Sequence, residues 1–542
     1  MENLSQEKRK RMIAFLKKIK EEHKDDDETL IALDEIENEL NSKKYGLVWE
    51  KHEEKVDRMM QDNIPVFTEV KEREIKAKDE NSYNFLLEGD NLHSLKLLEK
   101  THAGKIDVIY IDPPYNTGNK DFIYDDSFVD KNDGYAHSKW LSFMSERLEI
   151  AKRLLSDEGV IFISIDDNEQ AQLKLMCDSV FDEENFVTSI HWKRSESQNN
   201  SAKQFAIVGE FILCYAIDKS NRSFNKIALQ DTAIKEYRYV DEVTGKKFRR
   251  GTIVDNTRGK NIFDIVSPSG IKKRIKSIRN KKFFEEKDTN GEIYWTRTGT
   301  PYLKIFLDES EGQISNNWFD NVGVNEDASE QLSKLNIDFS FSKPTSLIIK
   351  LLEIAGNNKS IILDFFAGSG TTAHAVLELN KVDGGNRKFI LCTNNENNIC
   401  EEITYERIKR VIYGYSYVDK KKNVEKTVNV EGIPANLKYF KTDFIAKDAD
   451  DVSEELLAHI KEMVELENGI TIDNKHYLII LTDEQADELA KNWSNYKDVK
   501  AIYVSRNVLF TSEQNTLFRN TEIHTIPDYY FEYELKELGE SW

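Results

Sequence analysis

Residues 364–372 read DFFAGSGTT, a glycine-rich turn between an apolar stretch (360–366) and a helical pattern (371–380). Gly368 and Gly370 permit a tight turn and a close approach of the backbone to a ligand. The start of the following helix offers unpaired N–H groups to an anion. No lysine follows as in the G-x-x-x-x-G-K-S/T loop of nucleotide hydrolases. The turn therefore predicts a site for a dinucleotide or another adenosine cofactor, such as S-adenosylmethionine.

Strand and helix patterns alternate on both sides of this turn, which indicates parallel crossover units in a doubly wound α/β sheet. Two further apolar runs, 186–192 and 210–217, follow each other without a helix and predict an antiparallel pair at the sheet edge. The predicted strands are 85–90, 105–112, 159–166, 360–366 and 388–393, and the predicted helices are 91–100, 137–155, 168–181, 346–355, 371–380 and 401–413.

Changes in composition divide the chain into five segments. They are a helical N-terminal arm (1–82), the first half of the sheet (83–218), a basic insert (219–335), the second half of the sheet (336–430) and an acidic, small α/β C-terminal domain (431–542). The charged arm is predicted to pack against the protein or to form a dimer. The sheet is thus predicted to be interrupted by the insert.

A second motif, Asp112-Pro113-Pro114-Tyr115, directly follows the apolar run KIDVIYI (105–111). Two consecutive prolines cannot continue a strand, so they hold a rigid loop at the end of the strand where open α/β sheets bind ligands. Asp112 and the Pro113 carbonyl can accept hydrogen bonds from an amino group, and Tyr115 can stack on a flat ring. The motif therefore predicts a site for an exocyclic amine on an aromatic ring.

The basic insert contrasts with the rest of the chain, whose formal net charge is −21. Between Lys235 and Lys282 there are fifteen lysines and arginines against five acidic residues, with aromatic residues interleaved. Lysine and arginine neutralise phosphates, so this segment is the predicted nucleic-acid face. The candidate DNA-binding residues are Lys246, Lys247, Arg249, Arg250, Lys272, Lys273 and Arg274.

Composition excludes several other classes of protein. No apolar run is long enough to span a membrane, and the N-terminal residues do not resemble a signal peptide. The four cysteines form no CxxC pair, and the ten histidines show no metal-ligand spacing. We expect a cytoplasmic protein with no structural metal and no membrane partner.

Together these motifs resemble the amino-methylating DNA methyltransferases of the β class, in which the catalytic motif precedes the cofactor motif. EGDNLHSLKLL (88–98), KIDVIYIDPPYNTG (105–118), KPTSLI (343–348) and DGGNRKFIL (383–391) most resemble the modification (Mod) subunits of type III restriction-modification systems. The resemblance covers about residues 80–220 and 335–445. It implies a Rossmann-like methyltransferase sheet, S-adenosylmethionine as cofactor and duplex DNA as substrate.

The resemblance also implies roles for individual residues. Asp112, Pro113 and Tyr115 would hold the target base, and Pro114 would shape the turn. Asp364, Phe365, Phe366, Ala367, Gly368, Ser369, Gly370, Thr371 and Thr372 would hold the methionine part of the cofactor. Asp90 and Asn116 would lie near the cofactor, Lys343 and Pro344 would border its methionine end, and Glu396 would bind its ribose.

Asp rather than Ser before PPY favours N6 of adenine, which would be reached by flipping the base out of the duplex. N4 of cytosine, an RNA substrate and a non-catalytic DNA-binding adaptor remain alternatives. We expect a homodimer. The resemblance further implies a possible separate restriction (helicase-nuclease) subunit, because the chain itself carries no P-loop motif.

Overall fold

The computed structural model describes residues 4–24, 26–41, 49–119, 121–124, 127–130, 132–197, 203–421 and 424–539. The N-terminal segment begins with two helices, and Lys20 of the first pairs with Asp34 and Glu37 of the second. The elements of this segment are α1 (Leu4–Glu22), α2 (Asp27–Asn41), α3 (Lys55–Asp62), β1 (Asn63–Glu69) and β2 (Ile75–Lys76).

The prediction that residues 1–82 are entirely helical is wrong at β1, which pairs antiparallel with a strand near residue 440 and forms one edge of the central sheet. Its apolar run, Ile64–Phe67, is only four residues long but is fully buried in the core. Pro65 fits here because an edge strand tolerates the loss of one backbone donor.

The first half of the sheet follows the predicted alternation of strands and helices. The runs 186–192 and 210–217 form the expected antiparallel pair. The elements are β3 (Tyr83–Glu88), α4 (Asn91–His102), β4 (Ile106–Ile111), β5 (Ile123–Tyr124), β6 (Ser127–Phe128), α5 (Ala136–Leu154), β7 (Leu155–Ile165), α6 (Gln170–Phe181), β8 (Phe186–Lys193) and β9 (Gly209–Ala216).

The insert is mostly antiparallel β structure with a small core of its own, formed by Ile253, Ile265, Ile275, Phe284 and Ile293. Its last elements return to the central sheet. The elements are β10 (Lys226–Ile227), α7 (Asp231–Ile234), β11 (Tyr239–Val240), β12 (Lys247–Thr252), β13 (Asn261–Val266), β14 (Lys272–Ser277), α8 (Lys281–Thr289), β15 (Ile293–Trp295), β16 (Pro301–Phe306), β17 (Gln313–Ile314), β18 (Trp318–Phe319) and α9 (Asn325–Lys334).

The second half of the sheet resumes the crossover pattern, and its strand 388–393 has the predicted bounds. A 3-10 turn (396–398) and a π-helical segment (399–404) precede the last helix of this half. The elements are α10 (Thr345–Ala355), β19 (Ile361–Asp364), α11 (Thr371–Asp383), β20 (Lys388–Thr393), α12 (Tyr405–Tyr413), β21 (Gly414–Lys421), β22 (Val424–Glu431) and β23 (Asn436–Ala446).

The C-terminal domain begins later than the predicted boundary at 431, because β23 lies inside the central sheet between β1 and β3. Leu456 and Met463 also pack into the central core. Only β24–β26 form a separate parallel sheet. The elements are α13 (Val452–Ala458), α14 (Ile460–Asn468), β24 (Tyr477–Ile480), α15 (Asp483–Lys491), β25 (Ala501–Ser505), α16 (Ser512–Phe518), β26 (Glu522–Ile526) and α17 (Glu532–Glu537).

The central sheet has the order β1-β23-β3-β20-β19-β4-β7-β9-β8-β18, with β2 also pairing with β23. From β4 the chain passes through α5 to β7, toward one edge of the sheet. From β19 it passes through α11 to β20, toward the other edge. The two helices belong to two different clusters of the core. The point between β4 and β19 is therefore a topological switch point, and ligands bind at the carboxyl ends of the strands there.

Candidate functional site

The Asp112–Tyr115 loop leaves the carboxyl end of β4, next to β19 in the sheet. The indole N–H of Trp140, which is fully buried, donates to the Pro114 carbonyl at 2.7 Å. No residue in the described part of the chain donates to the Pro113 carbonyl. The loop is thus anchored through one proline, while the carbonyl of the other remains available to a ligand.

Asp112 is held by the amine of Lys343, whose Nζ donates to Oδ1 at 2.8 Å and to Oδ2 at 2.7 Å. Lys343 is only 8% exposed. Burial alone would lower the pKa of its amine, but the Asp112 and Glu210 carboxylates outweigh this and raise the pKa above its usual value. Lys343 therefore stays charged and fixes the Asp112 carboxylate.

A second carboxylate, Glu210 at the start of β9, lies in the same site. The Tyr115 hydroxyl donates to Asp112 at 2.8 Å and to Glu210 at 3.1 Å. Arg194 donates to the other oxygen of Glu210 at 3.0 Å. Burial and these two carboxylates raise the pKa of Tyr115 well above its usual value. The tyrosine therefore remains protonated, with its ring held in one orientation.

Asp364, at the end of β19, is buried and begins the glycine-rich turn. Its carboxylate accepts from the Phe366 N–H at 3.0 Å and from the Thr372 hydroxyl at 2.5 Å. Burial raises the pKa of Asp364 to about 7, against these two hydrogen bonds, and the charge of Asp112 adds to the rise. Asp364 thus closes the turn onto the start of α11.

The two glycines of the turn have different surroundings. Both have left-handed backbones, with φ of 50° at Gly368 and 77° at Gly370. A Cβ on Gly370 would lie 3.2 Å from the Thr404 side chain, whereas a Cβ on Gly368 would meet nothing closer than 3.8 Å. Gly370 therefore permits close packing, whereas a Cβ on Gly368 would make only ordinary van der Waals contacts.

Behind the turn lies a buried cluster of hydroxyls around Arg407. One guanidinium nitrogen, Nη1, donates to Ser369 and Thr371 at 2.8 Å each and to Ser342 at 3.3 Å. Arg407 is fully buried, and burial lowers its pKa to about 10, so it remains charged at neutral pH. The Thr371 hydroxyl also donates to the Lys343 carbonyl at 3.2 Å. This cluster links the glycine-rich turn to the backbone of Lys343, whose side chain holds Asp112.

Asp90 lies beyond β3 and caps α4 by accepting from the Leu92 N–H at 2.8 Å. It also pairs with the buried Arg147 at 3.2 Å. Arg147 in turn holds Asn91, whose amide donates to the Phe365 carbonyl at 2.8 Å. Asp90 and the glycine-rich turn are therefore joined by one network.

Asn116 has a left-handed backbone directly after the Asp112–Tyr115 loop. Its amide donates to Glu169 at 2.6 Å and to the Ala136 carbonyl at 3.2 Å. Glu169 is fully buried and also contacts His137 at 2.6 Å. The Asn116 side chain is thus engaged in holding the loop, and its predicted contact with a cofactor stays a prediction.

Pro344 is buried and precedes the first residue of α10. Glu396 is exposed just beyond the carboxyl end of β20. Since β20 is the neighbour of β19, Glu396 lies at the same end of the sheet as the glycine-rich turn. Its role at a ribose stays a prediction.

The candidate DNA-binding residues fall into two groups. Lys246 pairs with Asp308 at 2.8 Å, Arg249 donates to the Tyr237 hydroxyl at 3.3 Å, Arg250 contacts Tyr239, and Lys273 contacts Thr300 at 3.3 Å. Lys247, Lys272 and Arg274 are exposed and, within the described residues, their side chains have no hydrogen bond or ion pair.

Sequence reasoning missed Glu210, Arg194 and Arg407. Glu210 carries a signal, because a carboxylate at the start of an otherwise apolar strand (210–217) needs a buried partner. Arg407 carries none, since it is one of several cations in a helix whose other face is solvated.

A comparison with protein families matches residues 106–406, more than half of the chain, to the N6/N4 methylase family, described as DNA methylase. The chain belongs to this family of DNA methylases.

Among curated proteins, the StyLTI Mod subunit of a type III restriction-modification enzyme from Salmonella typhimurium is 36% identical over 62% of this chain and 58% of that protein. The EcoPI Mod subunit from Escherichia phage P1 is 29% identical over 85% of this chain and 78% of that protein. The chain thus spans little more than half the length of the StyLTI subunit. Among solved structures, the M1.HpyAVI–SAM complex is 16% identical, with a TM-score of 0.30, over 60% of this chain and 96% of that chain.

The described residues include no helix that is both long and apolar enough to cross a membrane.

Proposed function

We propose that this DNA methylase transfers a methyl group from S-adenosylmethionine to N6 of adenine in duplex DNA, as the modification subunit of a type III-like system. The observation that carries the proposal is that the Asp112 loop and the Asp364 turn leave adjacent strands at one switch point. The names of the StyLTI and EcoPI relatives support the type III assignment.

The turn at 364–372 fits the proposed cofactor. Gly368 carries no side chain, so a ligand can approach the backbone closely there. The first N–H groups of α11 are available to a carboxylate or hydroxyl of the ligand. Asp364 and Arg407 keep the turn in one conformation from behind. These residues would bind the cofactor, which supplies an electrophilic methyl group when bound.

Asp112 and Pro113 fit the amino group of a base. A carboxylate can accept about four hydrogen bonds. Asp112 accepts two from Lys343 and one from Tyr115, so it can accept a further one. The free Pro113 carbonyl can accept the second N–H of the amine. The amino lone pair would then point at the methyl group rather than into the ring.

Catalysis by these residues is positioning and electrostatics rather than covalent chemistry. The cofactor, when bound, would supply the methyl carbon to which the amine nitrogen bonds, and the methylated amine would then release one proton to solvent. Asp112 and Glu210 stabilise the positive charge that the amine gains, while Tyr115 stacks on the ring.

The target amine is hidden in a duplex, so the base has to be flipped out at a cost of a few kcal/mol. The basic insert would offset this cost through phosphate contacts. As a type III-like modification subunit, the chain would work with a separate restriction subunit that cleaves the DNA.

We propose that two copies of the chain form a homodimer through the helices of the N-terminal arm. Met12 and Phe15 of α1 and Ile31 and Ile36 of α2 are between 42% and 64% exposed. Two such surfaces would bury each other in a symmetric pair. Analytical ultracentrifugation of Phe15→Glu should show monomers if this surface forms the dimer, and an unchanged dimer would place the interface elsewhere.

The activity is tested by incubating the protein with methyl-labelled S-adenosylmethionine and mixed duplex DNA, and by separating the nucleosides. Label in N6-methyladenine is expected. Label in N4-methylcytosine would overturn the choice of base but keep the site. No label in DNA, with or without a restriction subunit, would overturn the proposal.

A further inference from the structure

The hairpin formed by β13 and β14 has two different faces. The strands pair antiparallel from Asn261–Ser277 to Val266–Lys272, and side chains alternate between the faces. One face is buried: Phe263, Ile265 and Ile275 pack into the core of the insert. The opposite face, called the outer face here, consists of Ile262, Asp264, Val266, Lys272, Arg274 and Lys276.

The outer face combines cations with exposed apolar side chains. Ile262 is 60% and Val266 55% exposed, although both are β-branched residues that strands usually bury. Lys272 and Arg274 are exposed, and their side chains have no hydrogen bond or ion pair in the described part of the chain. Such a mixed surface on a strongly acidic protein favours a polyanionic partner with apolar groups of its own.

Arg274 lies directly opposite Asp264 in the register, yet no ion pair forms between these two described residues. An arginine can donate two hydrogen bonds to O6 and N7 of guanine, and an aspartate can accept from N4 of cytosine. The opposed pair therefore has the donors and acceptors that both halves of a G·C pair require.

We propose that the outer face of this hairpin enters the major groove of duplex DNA and reads a G·C pair through Arg274 and Asp264. The proposal rests on the proposed function, since it names how that function selects its substrate. The major groove admits a two-stranded β-ribbon. Alternate residues on a strand are about 6.8 Å apart, which is about two base-pair steps.

Of the other outer-face residues, Lys276 is engaged within the insert, since its amine donates to the Asn256 carbonyl at 2.9 Å. Lys272 neutralises a phosphate, and Ile262 and Val266 contact thymine methyl groups or exclude water. Unlike the prediction from the sequence, this proposal gives Lys273 no DNA contact, because it lies on the inner face and contacts Thr300. The proposal thus separates three adjacent basic residues of one strand by the direction of their side chains.

Lys273 supplies a matched control, since it carries the same charge one residue away. Full-length Lys272→Ala, Arg274→Ala and Lys273→Ala variants are compared by fluorescence anisotropy with a labelled random-sequence duplex at several salt concentrations. Lys272→Ala should reduce the slope of log affinity against log salt by about 1, and Lys273→Ala should leave it unchanged. Equal effects of the two substitutions would overturn the proposal.

Base reading is tested by sequencing the methylated positions in a genomic digest. Arg274→Ala should lose roughly 5- to 150-fold preference at one G·C position of the target. An unchanged target sequence would overturn the assignment of Arg274.

An RNA duplex should bind at least tenfold more weakly than DNA, because its major groove is too narrow. Equal binding would overturn the groove assignment.

The test separates the two proposals. If the wild-type protein binds duplex DNA in the predicted face-dependent way but transfers no methyl group, the proposed function fails and the hairpin assignment of Lys272 stands. If it methylates DNA but Lys272→Ala and Arg274→Ala match Lys273→Ala in affinity and target sequence, the proposed function stands and the hairpin assignment fails.

Discussion

The amine of Lys343 lies within 2.8 Å of both carboxylate oxygens of Asp112, although 231 positions separate the two residues in the chain. The backbone of Lys343 contacts the glycine-rich turn through Thr371, while its side chain contacts the Asp112–Tyr115 loop. One residue therefore connects the two halves of the site.

Removing this cation should slow methyl transfer. In Lys343→Met the Asp112 carboxylate loses both hydrogen bonds from the lysine amine, so it is no longer held in one position. A carboxylate that can turn orients the target amine less well, so the rate of methyl transfer should fall. Single-turnover methyl-transfer rates test this.

Lys350→Met is the matched control, because Lys350 is also 8% exposed but lies over the Phe319 ring, away from Asp112. Lys343→Met should also lose stability, since breaking a buried ion pair by removing one partner commonly costs about 3–5 kcal/mol. Only Lys343→Met should slow methyl transfer. An equal loss of rate in both variants would refute the link between Lys343 and Asp112.

Asp364 should make the free energy of unfolding depend on pH. Its pKa of about 7 in the folded protein is above the value of an unfolded aspartate, so the folded state binds the proton more tightly. Its ionisation therefore destabilises the fold above pH 7, and this cost disappears as pH falls toward about 4. Asp364→Asn should remove this dependence.

Urea unfolding of both proteins at several pH values measures the effect. The stability of the wild type relative to Asp364→Asn should rise as the pH falls from about 8 to about 5. A difference that does not change with pH would show that Asp364 titrates normally.

Gly368→Ala should weaken cofactor binding more than it weakens the fold. The new methyl group would lie beside the turn where a ligand would approach, 3.8 Å from the Phe366 carbonyl oxygen and 4.0 Å from the Phe339 ring, and the left-handed backbone adds about 1 kcal/mol of strain. Gly384→Ala is the control, because Gly384 also has a left-handed backbone, with φ of 68°, and nothing within 4 Å of its Cβ position. Calorimetric titration with S-adenosylmethionine should show weaker binding only for Gly368→Ala; unchanged binding would mean that the ligand does not approach this position.

Arg407 should position the glycine-rich turn through its hydrogen bonds to Ser369 and Thr371. In Arg407→Met the three hydroxyls lose their shared donor, although they remain within 2.9–3.2 Å of one another. We expect a higher KM for S-adenosylmethionine with a smaller change in kcat, and partial rescue in Arg407→Lys. Equal losses of kcat in both variants, with an unchanged KM, would argue against a role in positioning the turn.

The sequence predicts the central sheet well because parallel strands are buried on both faces and appear as short apolar runs. Two strands at one side of the sheet, the edge strand β1 and its neighbour β23, are missed for physical reasons. The apolar run of β1 is only four residues long, and β23 alternates apolar residues with Lys438 and Lys441. Such a mixed pattern does not identify a strand of the central sheet. The predicted domain boundaries at 82 and 431 therefore leave β1 and β23 outside the two segments assigned to that sheet.

The sequence predicts those parts of the site that are formed by consecutive residues or by restricted backbone conformations. The Asp112 loop and the glycine-rich turn were found because prolines and glycines restrict the chain locally. Glu210 and Arg407 act through contacts between distant segments, which a single sequence does not reveal. The assignment of roles to the predicted site residues stays a prediction until variants are measured.

The most direct test separates cofactor binding from methyl transfer in Asp112→Ala. Binding of S-adenosylmethionine is measured by calorimetry, and transfer is measured in a single turnover on duplex DNA with excess enzyme. We predict that the variant binds the cofactor with an affinity close to that of the wild type but transfers no measurable methyl group. Transfer at the wild-type rate would contradict the assignment of Asp112 as the acceptor that orients the target amine.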